Sequence, residues 1–66
     1  MEMMVNGQAM QVEGAATVSE LLEKLSLTGK RVAVEKNGEI VPKSAHATTE
    51  ITPSDKLEIV VAVGGG

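Results

Sequence analysis

Two Asn-Gly pairs, at positions 6–7 and 37–38, constrain the fold of this chain more than any other feature of its 66 residues. Asn-Gly supplies the two positive φ angles of a tight type I′ turn, which joins neighbouring antiparallel strands. Alternating apolar and polar residues flank the first pair. Residues 32–34 precede the second, and Ile40-Val41 follows it until Pro42 ends the strand. The sequence therefore predicts two short hairpins.

Between the two hairpins, the chain carries the start signal of one helix. Thr17 and Glu20 have the spacing of a capping box, in which each side chain binds a free backbone amide of the first turn. Apolar residues recur at helical spacing and predict an amphipathic helix over residues 18–25. We expect Leu27 to close its exit and Thr28-Gly29 to end it. A helix this short is stable only when its leucine stripe packs on a sheet.

The last apolar run, residues 57–63, is typical of a central strand because nearly every position is apolar. Residues 43–50 show no clear period and are expected to form a loop with a turn of helix, and residues 52–55 a turn. The compact arrangement of these elements pairs the first and last strands in parallel. The sequence thus predicts an α+β fold, a ubiquitin-like β-grasp with a mixed four- or five-stranded sheet and one main helix packed on one face.

Length and composition exclude several classes of function. A chain of 66 residues allows one small domain, assigned to residues 1–63, whose thin core leaves no room for an enclosed pocket of ~300–1,000 Å³. We therefore do not expect an enzyme. The chain has no aromatic residue on which a base could stack, and its formal net charge is -3, so neither nucleic acid nor an anionic membrane is expected as a partner.

Cysteine is absent, and no apolar stretch is long enough to cross a bilayer. Disulfides and thiolate metal sites are therefore excluded, and no other metal site is expected. The first residues lack the basic start and long apolar stretch of a signal peptide. We expect the protein to be cytoplasmic.

Three glycines, Gly64, Gly65 and Gly66, follow the last apolar run. Because glycine has no Cβ, such a segment can pass through a channel too narrow for alanine. Extended, it spans at most ~10 Å, enough to carry a carboxylate from the domain into the active site of a partner. The alternative is a frayed, inert end. We interpret residues 64–66 as a flexible C-terminal tail with Gly66 as its reactive end.

The chain resembles the ThiS family, the sulfur carriers of thiamine thiazole biosynthesis, over essentially its whole length. The resemblance rests on the order of several short fragments: Val5-Asn6-Gly7, Thr17 to Leu22, Val32 to Glu35, Asn37-Gly38 with Ile40-Val41-Pro42, and Ile59-Val60 leading to Gly64-Gly65-Gly66. Two features depart from the family pattern. The turn before the last strand is Pro53-Ser54-Asp55 rather than Asp-Gly-Asp, and Val61 replaces a residue that is commonly polar.

The resemblance implies a two-stage reaction on Gly66. A ThiF-like adenylyltransferase, using Mg-ATP, converts its carboxylate to an acyl-adenylate, and sulfur from a cysteine desulfurase system replaces the adenylate to give a thiocarboxylate. A ThiG-like thiazole synthase then takes the sulfur. The carrier itself binds no cofactor and supplies no catalytic group. Gly65 and Gly64 would provide clearance in the partner's channel.

Other residues are open to two interpretations. Val60, Ala62 and Val63 form either an exposed partner-binding strip or part of the core. The four methionines are interpreted as pliable core filler rather than a soft metal site. His46 is expected to be a solvated loop residue, and Lys30-Arg31 and Lys36 a solvated face without an assigned role.

The sequence leaves alternative functions open. Carriers for molybdopterin synthesis or tRNA thiolation share the Gly-Gly end, and a ubiquitin-like protein modifier would join that end to a lysine of a target. An interaction module with an inert tail is a further alternative.

Overall fold

The computed structural model describes residues 1–62. Val63 and residues 64–66 lie outside the described residues, so the boundary between domain and tail stays a prediction. The elements are β1 (Glu2–Val5), β2 (Gln8–Gln11), α1 (Val18–Lys24), β3 (Val32–Lys36), β4 (Glu39–Val41), a 3-10 turn (Lys43–Ala45) and β5 (Lys56–Val61). They form a five-stranded sheet in the order β2-β1-β5-β3-β4. β1 and β5 are parallel and the other neighbours antiparallel, which confirms the predicted mixed sheet.

Both Asn-Gly pairs form the predicted two-residue turns. Asn6 and Gly7 have φ of 53° and 78°, and Asn37 and Gly38 have φ of 54° and 87°. The strands they join are in the register that such turns impose, with Val5 opposite Gln8 and Lys36 opposite Glu39.

Helix α1 begins where the sequence predicts and ends earlier. The Glu20 amide donates to the Thr17 hydroxyl at 3.3 Å, and the Thr17 amide donates to the Glu20 carboxylate at 3.1 Å, which confirms the capping box. At the other end Ser26 has φ 60°, and its amide donates to the Glu23 carbonyl at 3.0 Å. The Leu27 amide donates to the Leu22 carbonyl at 2.8 Å, so Leu27 closes the exit as expected. The prediction that Thr28-Gly29 ends the helix is wrong, because serine takes the left-handed position usually held by glycine.

Helix α1 covers one face of the sheet and leaves the other uncovered. Its inward residues Val18, Leu21 and Leu22 are 0%, 0% and 6% exposed. They pack over alternate residues of the strands, as the two-residue period of a strand requires. The buried strand residues are Met3, Val5, Val34, Val41, Leu57 and Ile59. Met3 lies in the core and Met1 and Met10 pack against it, as the interpretation of the methionines as filler requires. Met4 is the exception, since it pairs with Ala9 and Lys56 on the uncovered face.

The side chains of both turn asparagines bind the central strand β5. The Asn6 amide group accepts a hydrogen bond from the Ile59 amide at 2.7 Å and donates one to the Ile59 carbonyl at 3.2 Å. On the other side of β5, the Asn37 side chain accepts from the Lys56 amide at 2.9 Å. Each asparagine side chain therefore hydrogen-bonds to the backbone of β5 at the point where the asparagine's own strand ends in its turn.

The turn before β5 is organised by a buried carboxylate. Asp55, 7% exposed, accepts hydrogen bonds from the Asn37 side chain at 2.9 Å and the Thr52 amide at 2.8 Å, and Lys36 lies 3.7 Å away. Burial raises the pKa of Asp55, but the hydrogen bonds from Asn37 and Thr52 and the charge of Lys36 outweigh it and hold this pKa below its ordinary value. The Pro53-Ser54-Asp55 departure from the family pattern is thus a well-bonded turn.

We expect Asp55→Asn to lower the free energy of unfolding at pH 7 by about 1–2 kcal/mol, because it weakens these hydrogen bonds. The pKa of Asp55 is lower in the folded protein than in the unfolded protein. The contribution of Asp55 is therefore present above the unfolded pKa of about 3.9 and is lost as pH falls through the folded pKa. Urea unfolding at pH 7 and at pH 3 tests this. The difference between the two proteins should be smaller at pH 3 than at pH 7, whereas an equal difference at both pH values would contradict it.

Candidate functional site

The last described residue, Ala62, is fixed at the end of the central strand. β5 ends at Val61, and the Ala62 amide donates a hydrogen bond of 2.9 Å to the carbonyl of Arg31, just before β3. β1 pairs with β5 at Lys56 and Leu57, and β3 pairs with it from Leu57 to Val61, so β3 alone holds the end of the strand. The rigid part of the molecule thus presents the residues beyond Ala62. The predicted site residues Gly64, Gly65 and Gly66 lie beyond this point, outside the described residues, and stay predictions.

The uncovered side of the sheet, which we call the open face, carries exposed apolar residues, of which Val60 is the one next to the end of β5. Val60 is 62% exposed and lies opposite Ala33 of β3. Ile40 of β4, 65% exposed, lies opposite Glu35, which in turn lies opposite Glu58 of β5. The open face therefore combines an apolar strip with two acidic residues.

Two members of the predicted binding strip can be placed. Val60 and Ala62 are exposed, so the alternative that they belong to the core is excluded for both. Val63, the third member, lies outside the described residues. Exposure makes these residues available for binding, and their role in binding stays a prediction.

On the helix side, a groove of about 500 Å³ runs between α1, the segment 27–31 and the start of β3. Its apolar lining comes from Leu22, Leu27, Val32, Ala33 and Ala62. The sequence predicts that the thin core of this domain leaves no room for an enclosed pocket. This groove forms instead at the surface, where α1 ends early and the chain returns to β3. Ala62 lines it, so the groove lies beside the point from which the tail continues.

Three cations, Lys30, Arg31 and Lys43, also line this groove. Sequence reasoning noticed the Lys30-Arg31 pair but assigned it no role, and it did not single out Lys43. The β3–β4 hairpin and the following 3-10 turn bring Lys43 to the same groove, a placement that no local pattern in the sequence indicates. Lys36, grouped with them from the sequence, lies elsewhere: its ammonium binds the Glu50 carbonyl at 2.9 Å and Asp55.

The interpretation of His46 as a solvated loop residue is wrong. His46 is 7% exposed and lines the groove. Its Nε2 lies 3.1 Å from the Val41 carbonyl, and its own carbonyl accepts the Ser19 amide at 3.0 Å. The 3-10 turn folds His46 against the first turn of α1, where its hydrogen bonds help to fix the helix.

Two further sequence-based expectations concern metals and membranes. Among residues 1–62, histidine, aspartate and glutamate form no cluster of three or more that could hold a metal ion. Within the same residues, no helix has the length and apolar character needed to span a membrane.

Comparison with protein families and curated proteins gives a consistent result. The model of the ThiS family matches residues 3–66. The sulfur carrier protein ThiS of Escherichia coli K12 is 33% identical over 66 residues, which is the full length of both chains. A thiazole synthase of Paramagnetospirillum magneticum is 44% identical over the whole of this chain, which spans only 20% of that protein.

Solved structures agree with this assignment. The crystal structure of the thiamine biosynthesis protein ThiS from Geobacter metallireducens superimposes with a TM-score of 0.82 at 36% sequence identity, and the match covers all of both chains. The five-stranded mixed sheet with one helix is the ubiquitin-like β-grasp of that neighbour.

Proposed function

Because the chain belongs to the ThiS family of sulfur carriers in thiamine biosynthesis, which are carriers and not enzymes, we propose that it carries sulfur as a thiocarboxylate on Gly66. The observation that supports this most is the full-length match, which runs through Gly64 and Gly65 to Gly66. The hydrogen bond from Ala62 to Arg31, at the end of a strand paired with β3, supports it further, because a fixed base lets a partner bind the glycine tail.

The chemistry rests on the properties of a carboxylate. A free α-carboxyl group has a pKa of about 3.5, so at neutral pH it is an anion that can attack the α-phosphate of ATP. Pyrophosphate leaves, and the resulting acyl-adenylate has an electrophilic carbonyl carbon. The persulfide sulfur that the desulfurase system forms from cysteine attacks that carbon and AMP leaves, which gives an acyl disulfide. A thiol, such as excess cysteine, then reduces the S–S bond, so that the thiocarboxylate is released and the thiol is oxidised to a disulfide. In our proposal a ThiF-like adenylyltransferase binds the Mg-ATP and a cysteine desulfurase system supplies the sulfur, both in the cytoplasm.

We further propose a ThiG-like thiazole synthase as the acceptor of the sulfur. A protein named thiazole synthase contains a segment 44% identical to the whole of this chain. Joining a carrier to the enzyme that consumes its cargo keeps the two at high local concentration, so the shared chain is what a functional pair would produce.

The open face is the surface on which we propose that the adenylyltransferase docks. Val60 and Ala62 are exposed beside the tail, and Val60 packs next to Ala33. A partner that draws the tail into its active site must contact the molecule around Ala62. Burial of this apolar strip would stabilise that contact, and with Val63 it forms the proposed binding strip.

The test is the mass of the intact protein after incubation with a ThiF-like adenylyltransferase, Mg-ATP, a cysteine desulfurase and cysteine. We expect one oxygen of the chain to be replaced by one sulfur. A chain without residues 65 and 66 is the control and should keep its mass. An unchanged mass of the full chain would contradict the proposal, and a high-mass adduct with a second protein would indicate a protein modifier instead.

A further inference from the structure

The groove beside Ala62 concentrates positive charge in an acidic protein. The chain has 6 Lys and Arg residues against 9 Asp and Glu. Lys30, Arg31 and Lys43 all line the groove, and among the described residues Glu23 is the one acidic residue in its lining. Within residues 1–62, none of these three cations forms an ion pair or a side-chain hydrogen bond. Their charges are therefore available to a ligand.

The lining indicates which ligand fits. Leu22, Leu27 and Val32 provide an apolar floor that a small anion would leave uncovered. Nucleic acid is disfavoured by the net charge of -3 and by the absence of aromatic residues. A peptide segment with both acidic and aliphatic side chains would use the floor and the cations together, because the stems of lysine and arginine are themselves apolar.

The position of the groove limits the proteins that could carry that segment to those whose active site receives Gly66. Residues 63–66 span at most about 14 Å when extended, so an active site that holds Gly66 lies within that distance of Ala62. The surface around the entrance of that site must then face the groove, the open face or both. The two surfaces differ in charge, since Glu35 and Glu58 outnumber Lys56 on the open face, whereas three cations and Glu23 line the groove.

We propose that the groove receives an acidic, aliphatic segment at the active-site entrance of the adenylating partner. This rests on the function proposed above. Contact of Lys30, Arg31 and Lys43 with that segment fixes the rotation of the carrier about its own tail, because a carrier turned so that its open face met the segment would place Glu35 and Glu58 against the same acids. Complementary charges give orientation and association rate in this way.

The experiment measures the KM of the adenylyltransferase for the carrier, by carrier-dependent exchange of pyrophosphate into ATP. We expect Lys30→Glu and Lys43→Glu each to raise KM roughly 5-fold, with kcat unchanged, because each reverses a charge at the rim of the contact. The increase should shrink at 1 M salt, where charges are screened within about 3 Å. Arg31→Lys keeps the charge and should leave KM close to that of the wild type.

Lys24→Glu is the matched control, since it makes the same change of charge on α1 at a residue that does not line the groove. Thermal unfolding of each variant confirms that the fold is intact. If the wild-type chain is adenylated and all three lysine variants have the same KM, the groove proposal is overturned and the proposed function stands. If the wild-type chain is not adenylated, both are overturned.

Discussion

Replacing Gly65 with valine is expected to lower the rate of adenylation by a factor of about 100 or more while the fold stays intact. In our proposal the Gly66 carboxylate oxygen must reach the α-phosphate of ATP through a passage shaped around a chain without side chains, and a displacement of about 1 Å at a reacting centre can cost 100-fold in rate. A β-branched side chain one residue from the reacting carboxylate imposes such a displacement. Among residues 1–62 the last buried core residue is Ile59, so the thermal midpoint should not change.

The measurement is carrier-dependent pyrophosphate exchange, with intact mass as a second readout. Gly65→Ala should give an intermediate rate because its side chain is smaller. Gln8→Val places the same side chain at an exposed position of β2 and should be adenylated like the wild type. Normal adenylation of Gly65→Val would contradict the narrow-channel argument, and with it the assignment of Gly65 and Gly64 to clearance.

The parts of this fold that could be predicted from the sequence are those with local causes. Each Asn-Gly pair contains both residues that need positive φ, so the turn is determined within the pair. The capping box is likewise complete between Thr17 and Glu20. With two hairpins and one helix placed, the apolar run after residue 56 has few positions in a compact sheet, and the central one was predicted correctly.

The features that were missed depend on contacts between distant segments. Ser26 adopts a conformation that its residue type disfavours, because Leu27 returns to the core and fixes the exit of α1. His46 is buried because the 3-10 turn carries it against Ser19, and Lys43 reaches the groove of Lys30 by the same path. None of these neighbours is near in sequence, so periodicity and residue preference contain no signal for them.

The candidate site likewise contains residues that could be predicted from the sequence and residues that could not. Gly65 and Gly66 can be predicted as site residues because they belong to a run of glycines after an apolar strand, and the family match extends over them. The exposure of Val60 could not be decided from an apolar run, because the same run also supplies the buried Ile59. The position of α1 distinguishes Ile59 from Val60, because α1 covers the face of the sheet that carries Ile59 and leaves the face that carries Val60 uncovered.

Asn6→Gly is expected to lower the free energy of unfolding by about 2 kcal/mol, although glycine suits the turn at least as well as asparagine does. The change removes the two hydrogen bonds between the Asn6 side chain and the backbone of Ile59. Both lie in a partly buried region between the parallel strands, where β1 has already turned away. A domain of this size has a total stability of roughly 3–10 kcal/mol, so the loss should lower the thermal midpoint by about 10 °C.

Native-state hydrogen exchange locates the effect, because the Ile59 amide should lose protection selectively while amides of β2 keep theirs. Asn6→Asp is the informative comparison. Its carboxylate can still accept from the Ile59 amide, but it places a second negative oxygen near the Ile59 carbonyl, so it should restore protection of the amide without restoring full stability. A stability of Asn6→Gly within about 0.5 kcal/mol of the wild type, the usual range of surface substitutions, would show that this position needs only a residue that accepts a positive φ and would contradict the prediction. The loss we expect would instead assign Asn6 a second role, in which its side chain completes the ladder of the strand that presents the tail.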